Sequence, residues 1–229
     1  MTQFVKRLRI NAGWARIRAE HRTEYALMRK YADASMVPAH KFVDNLVLCR
    51  RVAVDGVVVE CGCWRGGMSA AMAEVLPDRR IELFDSFEGL PDAGEFDGER
   101  AHEWIATGKT LRAPEDAARG AMRRSGSANF EIHRGWFADT LPEYAASDPR
   151  IAVLRLDGDW YDSTMCSLEH LFPLVVDGGL VVIDDYGQWE GCTRAIHDYL
   201  AREQRAEPIQ HTRHGVAFIE KGSGDQAVP

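Results

Sequence analysis

Two stretches carry the residue types that could do chemistry. Arg155-Leu156-Asp157-Gly158-Asp159-Trp160-Tyr161-Asp162 follows the apolar run Ile151 to Leu156, and Asp184-Asp185 follows Gly179-Leu180-Val181-Val182-Ile183. Both runs read as buried parallel strands, so each acidic group falls at a strand's carboxyl end, the edge of an open α/β sheet where ligands bind. If the strands are neighbours, about 4.8 Å apart, the carboxylates of Asp157, Asp184 and Asp185 converge on one rim. Three such charges in partial burial need a proton or a cation among them. A hard divalent ion with oxygen ligands, Mg²⁺ above all, answers that need. The competing reading is helix capping, with Asp159 or Asp162 as N-cap of a helix beginning near Ser163. Asp-x-Asp after one buried strand and a doublet after another exceeds what capping explains.

The elements that must position these groups come earlier. Val57 to Cys61 reads as the first strand, running into Gly62-Cys63-Trp64-Arg65-Gly66-Gly67 and a helix from Met68 to Leu76. Strand, glycine-rich turn and helix open a nucleotide-binding α/β unit. The spacing is not G-x-G-x-x-G, since position 64 is Trp, which speaks against a dinucleotide. An acidic strand residue before a Gly-x-x-x-Gly turn resembles instead the first motif of S-adenosylmethionine-dependent methyltransferases. Glycine there lets the backbone approach a zwitterionic amino-acid moiety, with Glu60 supporting the loop or meeting the ammonium group; a turn needing glycine only for packing is the other reading. Ile81 to Phe84 reads as the second strand, and Asp85 at its end suits a ribose diol.

Residues 1–55 are expected to form an N-terminal helical extension or lid. Ile10, Trp14, Ile17, His21, Tyr25 and Met28 predict one amphipathic helix over the first thirty residues, and a second helical stretch runs from Phe42 to Val54. Residues 56–221 are expected to form one domain and 222–229 a disordered tail. Pro91 to Arg112 has little periodicity and reads as a mobile cover over the acceptor. Helices are expected at Pro114–Arg124, around Leu141–Ala146, at Met165–Val175 and at Cys192–Glu203. Strands are expected at Phe130–His133 and, as a terminal hairpin, at Pro208–His211 and Val216–Glu220. Alternating β/α units with a closing hairpin give an α/β fold of the class I methyltransferase, Rossmann-like type, a mostly parallel seven-stranded sheet.

The net charge of −7 argues against nucleic acid as the main partner, although residues 1–30 carry +6 and leave −13 for the rest. Five scattered cysteines with no C-x-x-C pair fit reduced thiols in a cytoplasmic protein. No run reaches membrane-spanning length, so no membrane partner is expected.

Taken together, four ordered blocks over roughly residues 40 to 200 resemble the macrocin O-methyltransferase family, metal-dependent enzymes that methylate sugar hydroxyls in antibiotic biosynthesis. The blocks are Glu60 to Gly67, Asp85-Ser86-Phe87-Glu88-Gly89-Leu90-Pro91, Gly135-Trp136-Phe137-Ala138-Asp139-Thr140-Leu141-Pro142, and the pair Leu156 to Tyr161 with Ile183 to Tyr186. The resemblance implies Mg²⁺ on Asp157, Asp184 and Asp185, with Asp159 as catalytic base. It implies S-adenosylmethionine at Glu60, Gly62, Cys63, Trp64, Arg65, Ser69, Asp85, Ser86, Phe87, Gly135 and Trp136. It further implies a small-molecule hydroxyl acceptor, a sugar vicinal diol or glycoside, and a homo-oligomer. The cover after Pro91 and the segment around Ser35-Met36 depart from the family. A catechol-type phenol as acceptor, and a non-catalytic S-adenosylmethionine-binding subunit, stay open as alternatives. His102, in the cover, competes with Asp159 for the role of base, while His133 and His170 read as structural.

Overall fold

The computed structural model describes residues 17 to 222. After a helical turn at residues 17–20, the elements run α1 Arg22–Lys30, α2 Ala39–Cys49, β1 Val57–Cys61, α3 Gly67–Val75, β2 Ile81–Asp85, α4 Gly98–Ala106, α5 Glu115–Ser125, β3 Phe130–Arg134, α6 Phe137–Ala145, β4 Ile151–Leu156, α7 Tyr161–Leu171, a 3₁₀ turn Phe172–Leu174, β5 Val175–Ile183, α8 Glu190–Arg202, β6 Gln210–His211 and β7 Ala217–Glu220. Among the described residues seven strands form one sheet in the order β3-β2-β1-β4-β5-β7-β6. Strands β1 to β5 are parallel, and β7 closes antiparallel against β5 and β6. This is the class I methyltransferase arrangement, mostly parallel with a terminal antiparallel hairpin.

Side-chain alternation along the central strands builds a core on each face. Val58, Val153 and Val182 point to one face, packed under Leu27, Tyr31, Phe42, Leu46, Met72 and Met122 of α1, α2, α3 and α5 and the residue after α1. Val59, Leu154 and Ile183 point to the other, under Leu141, Leu168, Leu171, Ile196 and Tyr199 of α6, α7 and α8. Burial on both faces explains why β4 is buried along its whole length and reads as a continuous apolar run broken only by Arg155.

Register then sets the site. Cys61 pairs with Leu156, and Leu156 with Ile183, so the three central strands end level. The ladder continues one residue further, with Asp157 N–H donating to Cys61 O at 2.9 Å and Asp184 N–H to Leu156 O at 3.0 Å. Asp157 and Asp184 are therefore adjacent by backbone hydrogen bonding alone.

Several expected elements need correction. The expected long N-terminal helix is interrupted at His21, whose backbone (φ −128, ψ 55) is not helical, and its part before residue 17 lies outside the described residues, as does the tail after 222. The second helix stops at Cys49, not Val54. Residues 91–112 are not an irregular loop, because they contain α4, whose Ala101 is fully buried. The expected helix Met165–Val175 begins and ends earlier, at Tyr161 and Leu171, and Val175 already opens β5. Helix α6 likewise starts at Phe137, with Pro142 inside it.

Candidate active site

A cavity of about 270 Å³ opens at the level ends of β1, β2, β4 and β5. Its wall includes Glu60, Gly62, Cys63 and Trp64 from β1 and the turn, Asp85 at the end of β2 with Ser86 after it, and Gly135 and Trp136 after β3. Asp157, Asp159, Asp184 and Asp185 complete it after β4 and β5. Ala34 to Pro38, between α1 and α2, and Leu90, Pro91 and Leu111 of the cover border the same space. Of the candidate donor-site residues, Arg65, Ser69 and Phe87 do not line it. Arg65 is exposed with its guanidinium 4.6 Å from the Trp64 ring centre, Ser69 is buried and donates from Oγ to Glu60 Oε2, and Phe87 is buried beneath the turn.

At the acidic end, one carboxylate oxygen from each of Asp157, Asp184 and Asp185 lies within 4.8 Å of the other two. The all-oxygen donor set fits a hard divalent cation. Asp184 Oδ1 is buried and, although 2.7 Å from Arg155 Nη2, lies off the direction that would complete a hydrogen bond. Asp185 Oδ2 accepts the Asp159 N–H at 3.1 Å. Burial, opposed by Arg155 and reinforced by Asp184, pushes the Asp157 carboxyl up to about 7. Burial and the neighbouring Asp157 and Asp184 charges hold Asp159 well above the usual carboxylate range, and burial with Asp159, Asp157 and Asp184 does the same to Asp185.

Asp159 sits at the apex of a three-residue turn, φ 58, closed by Trp160 N–H donating to Gly158 O at 2.6 Å. Positive φ at a non-glycine residue is strained backbone of the kind found at functional sites. Neither Asp159 nor Asp162 caps α7: its first N–H, on Tyr161, donates to Asp97 Oδ1 at 2.6 Å, a cap brought in from the cover.

At the glycine turn the backbone does the shaping. A Cβ on Gly62, at φ 90, would overlap the Asp157 carbonyl oxygen, so this glycine is required by the close approach of β1 to the β4 exit. Asp85 accepts Trp64 N–H and Phe87 N–H, each at 2.7 Å, and burial raises its carboxyl. Trp64, at φ 48, keeps its Nε1–H buried with no hydrogen-bond partner among the described residues. Burial raises the Glu60 carboxyl against the pull of Arg155.

The histidines fall elsewhere. His102 is exposed on α4 and does not line the cavity. His133 Nε2 meets Glu82 at 2.8 Å and its ring stacks on Phe84 at 4.2 Å, a structural role. The residue that reading the sequence missed is Arg155, fully buried and paired with Glu60, Asp157 and Asp184. The signal was present: a lone Arg inside an apolar strand must find buried acceptors.

Sheet order, two-faced core and the strand-end cavity define a class I methyltransferase. The profile of the Macrocin-O-methyltransferase (TylF) family matches residues 18–221, and the chain belongs to that family of O-methyltransferases. A relative from Streptomyces olivaceus, 8-demethyl-8-(2,3-dimethoxy-alpha-L-rhamnosyl)-tetracenomycin-C 4'-O-methyltransferase, is 42% identical over 185 residues, spanning 74% of this chain and 69% of that protein. The solved structure of the O-methyltransferase NovP has a TM-score of 0.68 and 29% identity, covering 79% of this chain and 81% of its own. MycE methyltransferase from the mycinamycin biosynthetic pathway, solved in complex with Mg, SAH and mycinamycin VI, shares the fold at a TM-score of 0.55 and 20% identity, covering 89% of this chain and 56% of its own. Among the described residues no helix is long and apolar enough to cross a membrane.

Proposed function

We propose that the protein transfers a methyl group from S-adenosylmethionine to a sugar hydroxyl of a glycosylated natural product, one of a vicinal pair, with Mg²⁺ held by Asp157, Asp184 and Asp185. The observation that carries this reading is the three-carboxylate cluster, within 4.8 Å, on the wall of the same cavity as the glycine turn. The rhamnosyl group in the name of the Streptomyces olivaceus relative supports a sugar acceptor. The bound metal would lower the pKa of a coordinated hydroxyl and neutralise the acidic rim. A sulfonium methyl is already electrophilic, so alignment and activation of the acceptor are the tasks left to the protein.

Asp159 is the group that takes the acceptor's proton, at its own carboxylate. Its place at the apex of a strained turn fixes it beside the rim, two residues beyond Asp157. Trp64, Asp85 and Glu60, which line the cavity at the glycine turn, hold the donor end. Five free cysteines, four of them buried, suit a reducing cytoplasm, and the expected homo-oligomer is read by light scattering.

The test is transfer of labelled methyl to a panel of glycosides and catechols. Incorporation into a glycoside that EDTA abolishes and Mg²⁺ restores, and that Asp157→Ala eliminates, supports the reading. Incorporation into catechols alone replaces the sugar by a phenol, and incorporation indifferent to EDTA removes the metal.

A further inference from the structure

Arg155 is the charged residue in an otherwise apolar β4, and no part of it reaches solvent. A guanidinium there persists only where its donors meet acceptors. Its partners come from four elements or their exits. Nε donates to Asn45 Oδ1 of α2 at 3.1 Å, and Nη1 to Glu60 Oε1 of β1 at 2.6 Å and to Asp157 Oδ2 at 2.7 Å. Nη2 lies 2.7 Å from Asp184 Oδ1. Two of the three rim carboxylates thus share one guanidinium, Asp157 through a hydrogen bond and Asp184 through a close ion pair without hydrogen-bond geometry. Asp185 is set separately, by the Asp159 N–H.

We propose that Arg155 is a positioning residue, a fixed internal cation that holds Asp157 and Asp184 in ligating register before an ion arrives and ties that register to Glu60 and to Asn45 on α2. The proposal rests on the reading of Asp157, Asp184 and Asp185 as a cation site. Clustered carboxylates repel and would spread apart without a counter-charge. A planar fork fixes direction as well as charge, which an ammonium does not. Arg155→Lys therefore keeps the charge and loses the register. Asn45→Ala removes a contact that aims the fork and leaves every carboxylate in place.

The experiment is calorimetric titration of Mg²⁺ into the full-length wild-type, Arg155→Lys and Asn45→Ala proteins, with thermal melts in parallel. Arg155→Lys is expected to weaken Mg²⁺ binding about 10- to 100-fold, the range for partners that orient metal ligands. Asn45→Ala is expected to weaken it in the same direction by a smaller factor. Lower melting temperatures with unchanged Mg²⁺ affinity in both variants would mark Arg155 as structural only and overturn the proposal. A wild-type protein that takes up no Mg²⁺ overturns the cation-site reading itself, and the proposal with it. If Arg155→Lys does not fold, the affinity of Asn45→Ala decides between the same outcomes.

Discussion

The two ends of the cavity keep their shape by opposite means. At the acidic rim, side-chain charge is set against side-chain charge, with Arg155 gripping Asp157 and Asp184. At the glycine turn the backbone is set against the backbone: Gly62 makes room for the Asp157 carbonyl, and Asp85 receives two main-chain N–H groups. The rim therefore answers to changes of charge at constant shape, whereas the turn answers to changes of volume at constant charge.

The largest expected effect tests the first half of that contrast. Asp159→Asn, nearly isosteric, should cut turnover about 10²- to 10⁴-fold, the usual worth of a positioned base, with affinity for S-adenosylhomocysteine nearly unchanged. Single-turnover kinetics and calorimetry check it, and full turnover would break the assignment. Next, Gly62→Ala adds one methyl group and no charge, yet its Cβ meets the Asp157 carbonyl at φ 90. A loss of about 2–4 kcal/mol of stability is expected, measured by denaturant unfolding, as for other strained or overpacked sites. A silent Gly62→Ala would mean that the turn gives way as readily as a surface loop.

A smaller effect concerns pH. Because the Asp157 carboxyl is raised to about 7 and Asp159 and Asp185 are raised too, the folded metal-free protein holds protons that the unfolded chain has released above the ordinary carboxylate value. These groups therefore lower metal-free stability as pH rises from about 4 to 7, while Mg²⁺ must displace protons at the lower end. Melting curves with and without Mg²⁺ should diverge as pH increases through that window, and a constant gap would remove the rim's titration from the account. The smallest effect is His102→Ala, which should leave turnover within about twofold, as for a surface change away from the site.

Legibility in the sequence followed the same division. Asp157, Asp184 and Asp185 were legible because strand ends and acidic doublets are written in residue type, and parallel register then brings them together. The separate parts of the donor end were less so. Arg65 and Phe87 stand next to residues that line the cavity, yet neighbours along a tight turn point in different directions, and only φ values such as 48 at Trp64 settle which. Helix α4 was hidden because its buried side is small: Ala101 fully buried, with Trp104 and Ile105 partly so, is too thin a stripe to read as periodicity. The N-terminal break at His21 is a matter of backbone angles that the apolar spacing passes over.

The cover has a consequence through the way it is fastened. Leu90 N–H donates to Thr110 O at 2.7 Å, drawing its two ends together, and between them Asp97 receives both Gly94 N–H and Tyr161 N–H while Trp160 Nε1–H reaches Pro91 O at 3.0 Å. A segment pinned at its base, at Asp97 and again at Arg100, whose Nη1–H reaches Gln188 O at 2.9 Å, is a cassette. Because Ala101, Trp104 and Ile105 of α4 pack into the core, only exchanges at its outward residues, such as Glu99, His102 and Glu103, stay within the cassette, and a change in its length is passed on to Leu90 and Leu111 at the cavity wall.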